Sequence, residues 1–421
     1  MPFLLPVFGP LVAPLSIEHM KSKLRSFACF AALAAGIIAI PAYAAIPLGE
    51  NSRIQIGGFI SQGFAKTDGN NYPFEDNQGT FDFREMAFNA STTFGSHLRV
   101  GGQIFAQRLG NYGEDQVKLD WANADYNFRQ EFGVRVGRIK YPKGLYGEAL
   151  DLDVVRPFIF LPISVYNPVM RDFSSSFDGA MVYGTLGLGA KGGSLDYKVF
   201  YGDIKMNKEQ GVADFFNDSG LFDATGVQEL GIDNVAGVSL DWSTPVSGLK
   251  VHASYSVLNN AYGNGQFFAM PVIPLSVKLD ALGYTTFGVE YIRGDWTFAG
   301  EYQIQDSPIV IDASPAYLRN TSYGMRNGYI SVARRFASKW EAGAYYSVSM
   351  DPYPDADKPE HSKHIYDTAL SLRYDLNEHV TIKAEGHYVD GTFNMFNTAK
   401  TPNPNKDPHT LLFALKTTLS F

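Results

Sequence analysis

Between Gly137 and Gly179 the sequence crowds side chains that handle ions into a stretch without regular alternation. They are Glu148, Asp151 and Asp153, then Arg156, Arg171 and Asp172. Around a narrow aqueous gap, carboxylates and guanidinium groups sort solutes by charge. The screening length in physiological salt is about 8 Å, so only charges near the narrowest point steer ions strongly. The same stretch contains Arg156-Pro157-Phe158-Ile159-Phe160-Leu161-Pro162. That is too apolar for a loop in free water, so residues 142–177 are expected to pack against a wall. Rival chemistries are weaker. Ser254 and His252 lie two apart on one strand face, the best nucleophile and base pair, but the sequence offers no third group to orient the histidine. Gly187-Leu188-Gly189-Ala190-Lys191-Gly192 matches the spaced glycines of a dinucleotide loop. That motif needs a helix after it, and Leu195, Tyr197, Val199 and Tyr201 announce a strand instead. His361 and His364 beside Asp355 and Asp357 read as a solvated loop rather than a metal site. No catalytic residue, metal or other cofactor is expected.

The elements that must position these charges are strands. Leu411, Phe413, Leu415, Thr417, Leu419 and Phe421 alternate with Thr410, Ala414, Lys416, Thr418 and Ser420, with Leu412 as the one mismatch. A period of two gives one apolar and one polar face. The same pattern recurs in Leu249–Val257, Trp296–Gln305, Trp340–Ser349 and Val380–Tyr388. About 16 such segments can be counted, each of roughly the ten residues that a tilted membrane strand needs. A strand that runs to the last atom leaves an edge that only closure removes.

Alternation by itself fits a soluble sandwich as well as a membrane barrel, but the connections separate the two. Short turns fall near Gly95, Gln130, Gly189, Pro245, Gly294, Ser338 and Asn377. Long connections are expected over 66–80, 110–116, 142–177, 203–233, 259–282, 306–326, 351–364 and 390–409. Short and long take strict turns, as in outer-membrane barrels with brief periplasmic turns and extended outer loops. Two strands read less cleanly. Arg84 shares the outward parity of Met86 and Phe88, and Lys118 and Asp120 share that of Ala122 and Ala124. A bulge would reverse the parity.

Composition agrees with a barrel. The 421 residues carry a net charge of −8, which argues against a nucleic-acid partner. A mean hydropathy of −0.12 fits a wall greased only at every second residue. At the N-terminus, Lys21, Lys23 and Arg25 precede the apolar run from Phe27 to Ile40 and the small-x-small site Ala42-Tyr43-Ala44. Residues 20–44 therefore read as a cleaved signal peptide, which would carry off Cys29, the only cysteine. Residues 1–19, with Pro2, Pro6, Pro10 and Pro14, fit no export signal and read as an extension ahead of the true start. The mature chain, residues 45–421, is expected to be one barrel domain.

The run through Gly137-Arg138, Gly144-Leu145-Tyr146, Arg156-Pro157, Leu161-Pro162, Arg171-Asp172 and Asp178-Gly179 resembles a segment of proteobacterial outer-membrane porins. The ending, with Phe413, Leu415, Leu419 and Phe421, resembles the assembly signal of Gram-negative barrels. The resemblance implies an all-β transmembrane antiparallel barrel of the 16-stranded porin type. In that type the loop after strand 5 folds inward as a constriction. It also implies passive diffusion of small hydrophilic solutes and ions, and a homotrimer in contact with outer-membrane lipid and lipopolysaccharide. Delivery would be by periplasmic chaperones and the barrel-assembly machinery. The loop acids would then face a wall whose inward parity carries Arg99, Arg135, Lys198, Lys250, Arg373, Lys383 and Lys416, mixed with Glu290, Glu301, Glu341 and Glu385. Such a mixed lining implies weak selectivity, with a slight cation preference from the net negative charge. Phosphate specificity does not carry over, because the chain lacks a dense ladder of arginine and lysine. Two alternatives stand beside diffusion. One is a channel for sugars, aromatic acids or organic acids, with Tyr141, Tyr146, Phe158, Phe160 and Tyr166 as an aromatic slide. The other is an outer-membrane hydrolase.

Overall fold

The computed structural model describes residues 54–421, apart from residues 75, 76, 152, 154, 155 and 209 and the side chain of Pro271. The expected signal peptide and the extension before it lie outside the described residues. Seventeen strands form one antiparallel sheet. They are β1 (Gln55–Asp68), β2 (Phe83–Phe94), β3 (Leu98–Leu109), β4 (Lys118–Arg129), β5 (Phe132–Lys140), β6 (Ser176–Gly187) and β7 (Ser194–Asp203). After them come β8 (Glu229–Gly231), β9 (Asn234–Ser243), β10 (Leu249–Phe267), β11 (Met270–Arg293) and β12 (Trp296–Ala313). The series ends with β13 (Tyr317–Phe336), β14 (Trp340–Met350), β15 (His364–Asp375), β16 (Val380–Gly391) and β17 (His409–Ser420). Each long strand pairs with its sequence neighbours, while β8 is a short addition to the outer half of β10. β1 pairs with both β2 and β17 and closes a wall of 16 strands. Gly58 and Phe421 exchange two backbone hydrogen bonds of 3.0 Å at this seam.

Exposure follows parity. Thr368, Leu370 and Leu372 are exposed, while Ala369, Ser371 and Arg373 between them are buried. Ile330 and Leu370 expose 69% and 66% of their surface, whereas Lys383 and Lys416 on the opposite face expose 1% each. A soluble protein places these groups the other way round. Phe94, Phe128, Trp242, Trp296, Phe336 and Trp340 stand exposed beside the short turns, an aromatic girdle for one membrane interface. Among the described residues no helix is long and apolar enough to cross a membrane.

The structure corrects the expected connections at two places. Residues 259–282 and 306–326 are mostly strand. β10 and β11 continue until only Phe268 and Ala269 separate them, and β12 and β13 until only residues 314–316 do. Strands of 18 to 24 residues exceed the roughly 9–11 that cross a bilayer, so this side of the barrel stands taller than the rest. The alternation runs on through Tyr262, Asn264 and Gln266 and was hidden by glycines at the intervening positions.

The parity problem on β4 is resolved by a bulge. Gln103 lies opposite Trp121 and Ile104 opposite Leu119, which leaves Asp120 as the extra residue. Asp120 is thereby buried, and Leu119 takes the exposed face. Arg84 keeps its outward parity and is neutralised at the outer rim by Asp82 at 2.9 Å and Asp115 at 2.5 Å.

The exposed apolar face generates a prediction. Leu370→Arg should cost about 2–4 kcal/mol if the residue meets hydrocarbon near mid-bilayer, read as a lower urea midpoint for the barrel folded into vesicles. An unchanged midpoint would take this face out of lipid.

Candidate functional site

The connection after β5 has little regular structure of its own. It contains single turns at Gly147–Ala149 and Pro168–Met170 and a one-turn helix at Arg171–Ser174. Asn167 caps the second turn by accepting from the Val169 amide at 3.1 Å. Bonds within the loop, such as Arg156 to the Leu150 carbonyl at 3.0 Å, are joined by others from the polar faces of strands around the ring.

On one flank Glu301 of β12 accepts from the Leu145 amide at 2.8 Å, from the Tyr166 hydroxyl at 2.6 Å and from Tyr329 of β13 at 2.8 Å. Ser347 of β14 donates to Ser164 at 2.8 Å, and Ser371 of β15 to the Pro157 carbonyl at 3.1 Å. Glu385 of β16 accepts from the amides of Ile159 and Phe160, at 2.7 and 3.0 Å. His387 bonds Glu385 at 2.9 Å and Asp367 at 3.0 Å, so it fixes the carboxylate that grips the loop. On the other flank the bulged Asp120 meets Arg171 at 2.6 Å, and Lys118 meets Asp172 at 3.0 Å.

The loop acids are spent on the same task. Asp153 is 2% exposed and lies among Lys383 at 3.1 Å, Lys416 at 3.4 Å, Arg156 at 3.6 Å and the Thr418 hydroxyl at 2.6 Å. Burial pushes its carboxyl up, but Lys383 and Lys416 outweigh that and hold it well below the usual carboxylate range. Burial likewise raises Asp151, while Arg171 and Lys140 bring it well below that range. Glu148 is the most accessible of the three, paired with Lys198 and 3.7 Å from Arg135.

These contacts redraw the expected lining. Arg373, Lys383, Glu385, Lys416 and Glu301 do not stand on a wetted wall. They are buried as partners of the loop, and Arg373 donates to the Arg156 carbonyl at 3.3 Å. The aromatic slide is also corrected. Tyr141, Phe158, Phe160 and Tyr166 are buried, with Phe160 stacked on Phe83 at 5.3 Å and Phe158 edge-on to Tyr345 at 5.0 Å. What stays open is a space of about 310 Å³ lined by Asn89, Arg99, Gln103, Trp121, Asp125 and Arg135 of the wall and by Glu148 and Asp151 of the loop. Arg135 pairs with Asp125 at 2.8 Å, and Arg99 donates to the Ser91 hydroxyl at 3.2 Å. Lys250 and Glu290 lie opposite each other in the ladder, and Glu290 accepts from Tyr146 at 3.2 Å. Glu341 lies 3.8 Å from Arg373. Phe413, Leu415 and Leu419 share the outward face of β17.

Lys140, Asp367 and His387 are anchors that the sequence did not single out, and Lys118 and Asp120 stood out there only by their conflicting parity. His387 shares the polar parity of Lys383 and Glu385, which was the one available signal. The third group missing beside Ser254 and His252 is Asp241 of β9. It lies 2.9 Å from His252 Nδ1, while His252 Nε2 is 3.1 Å from Ser254 Oγ. Acyl transfer also needs donors for an oxyanion. Ser254 lies within continuous ladders, opposite Ser239 on one side and Thr286 on the other, so the neighbouring amides are committed to the sheet.

A closed antiparallel wall of 16 strands, polar within and apolar without, is the fold of outer-membrane porins. Solved structures agree. An anion-selective porin from Comamonas acidovorans superposes with a TM-score of 0.54 at 10% identity, over 87% of this chain and 99% of that one. OmpF of Salmonella typhi, in complex with daunomycin, gives 0.54 at 12% identity over 87% and 97%. The outer-membrane channel DcaP of Acinetobacter baumannii gives 0.53 at 10% identity over 87% and 97%. No protein-family model and no curated protein sequence matches the chain.

Two predictions follow from the anchors. Asp153→Ala leaves Lys383 and Lys416 buried without their shared partner. It should lower the unfolding free energy by about 3–5 kcal/mol, measured by urea titration, with added noise in any single-channel record. The depressed carboxyls of Asp151 and Asp153 stabilise the fold fully above their unfolded value of about 3.9, and this is lost only as pH falls through the lower folded values. Resistance of the loop to proteolysis should therefore be flat from about pH 7 to 4 and decline below. A decline already complete at pH 5 would remove these two groups as its anchors.

Proposed function

We propose that the chain is a channel of the Gram-negative outer membrane that passes small hydrophilic solutes and ions by diffusion. The observation that carries this reading is the loop after β5. It is tied by buried ion pairs and hydrogen bonds to the polar faces of β4 and of β12 through β17, and an open, charged space remains beside it. A segment bound to both flanks of a closed ring narrows the lumen without sealing it. Solutes would be selected first by size at this gap and then by its charges.

The lining of the gap is mixed. Arg99, Arg135 and Lys140 face Asp125, Glu148 and Asp151, and most of them are already paired. Weak ion selectivity is the consequence, and the net negative charge gives it a slight cation preference. The reading includes cleavage of residues 20–44 on export, barrel assembly directed by the Phe421 ending, and a homotrimer. Hydrolysis is not part of this reading: the backbone amides beside Ser254, His252 and Asp241 are committed to the sheet ladders.

Purified protein in a planar bilayer should show stepwise conductance, in threes for a trimer, with a reversal potential near zero in a salt gradient. Among the described residues Arg99 has no carboxylate within 4.0 Å, and Arg99→Glu reverses its charge at the gap. It should raise the cation-to-anion permeability ratio by roughly fivefold, the effect of about 1 kcal/mol. Folded protein without conductance would end the diffusion reading.

A further inference from the structure

On the outer side of the anchored loop lies a second space of a different character. It has a volume of about 120 Å³ and opens to solvent. Its walls are mainly apolar: Met170 and Phe173 from the loop after β5, Met206 and Phe215 from the connection after β7, and Tyr323 and Met325 from β13. One cation reaches it. Lys143 is only 6% exposed, and its ammonium lies over the ring of Tyr284 at 5.2 Å. Among the described residues that ammonium has no carboxylate within 4.0 Å and no hydrogen-bond acceptor. Glu301 is the acid that acts on it electrostatically, but both its oxygens are occupied by Leu145, Tyr166 and Tyr329. Burial pushes the Lys143 pKa down to about 8, with Glu301 opposing, so the group is still mainly charged at pH 7. Every other lysine or arginine of this loop has a carboxylate partner: Arg156 has Asp153, and Arg171 has Asp120 and Asp151.

A buried cation without a counter-ion, at the edge of an apolar cavity, is complementary to one kind of solute. We propose that this vestibule binds monocarboxylates with an apolar body, the carboxylate pairing with Lys143 and the hydrocarbon lying against Phe173, Phe215 and Met325. The inference rests on the channel reading for its purpose, since such a site would concentrate these acids above the gap. An inorganic anion would satisfy the charge and leave the apolar walls unused. A neutral apolar solute would fill the walls and leave the ammonium unpaired.

Titration calorimetry on the detergent-folded barrel with phenylacetate, acetate and phenylacetamide separates these cases. Phenylacetate should bind at least about tenfold more tightly than either of the others, and in a bilayer it should interrupt the current from the outer side. Lys143→Met should weaken phenylacetate binding by about tenfold or more, while Lys143→Arg keeps it. Equal binding of phenylacetamide, or binding by Lys143→Met equal to that of the unaltered protein, would overturn the proposal. Should Lys143→Met not fold, the three-ligand comparison on the unaltered protein decides. Current without phenylacetate binding would sink this site and leave the channel; binding without current would do the reverse.

Discussion

In hydrocarbon no water is available to satisfy a backbone amide or carbonyl, and a sheet can meet that condition only by closing on itself. The pairing of β1 with β17 is therefore the contact on which the rest depends. Once the ring is closed, each strand has one face in lipid and one in the interior, and every second residue is committed to one or the other. The Asp120 bulge shows how firm the constraint is. Lys118 and Asp120 belong inside while Ala122 and Ala124, of the same parity, belong outside, and one extra residue in the ladder reconciles the two pairs.

Interior charges then divide into two populations. Those under the loop after β5 are dry, and a dry charge is tolerable only with its partner in place. Asp153 with Lys383 and Lys416, Asp120 with Arg171, and Glu385 with two backbone amides all satisfy that condition. They give the loop a defined position and are themselves shut off from solvent. The second population, around Arg99, Arg135 and Glu148, stays accessible. The electrical character of the gap is thus set by a few residues, although the chain has many more charges of suitable parity.

The loop also divides two environments. On one side, carboxylates and guanidinium groups border a wet gap of about 310 Å³. On the other, phenyl and thioether side chains border a second cavity, reached by Lys143, which has no carboxylate within 4.0 Å among the described residues. A hydrated ion and an amphipathic acid would meet different surfaces along one path. The tall hairpins of β10 to β13 build much of the apolar side, since Ala261, Leu279, Leu282, Tyr284, Tyr323 and Met325 all belong to them.

Period two along Thr410–Phe421, the strict exchange of short and long connections, and the irregular, charged segment after the fifth strand determine the closed barrel and its special loop from the sequence alone. Those features are legible because they arise from neighbours along the chain: alternation is a local property, and a turn is a few residues. Part of β10 was obscured because Gly263 and Gly265 carry no side chain to mark a face, while Pro271, Pro274 and Pro308 made the extensions of β11 and β12 read as loop. The partner of each charge could not be read in this way. Asp153 and Thr418 are 265 positions apart, and Ile159 and Glu385 are 226 apart. Whether Lys383 is a wet wall residue or a dry anchor depends on which segment covers it. Whether Lys143 is paired depends on where Glu301 has spent its two oxygens. Those are distances across the barrel, and only the tertiary structure sets them.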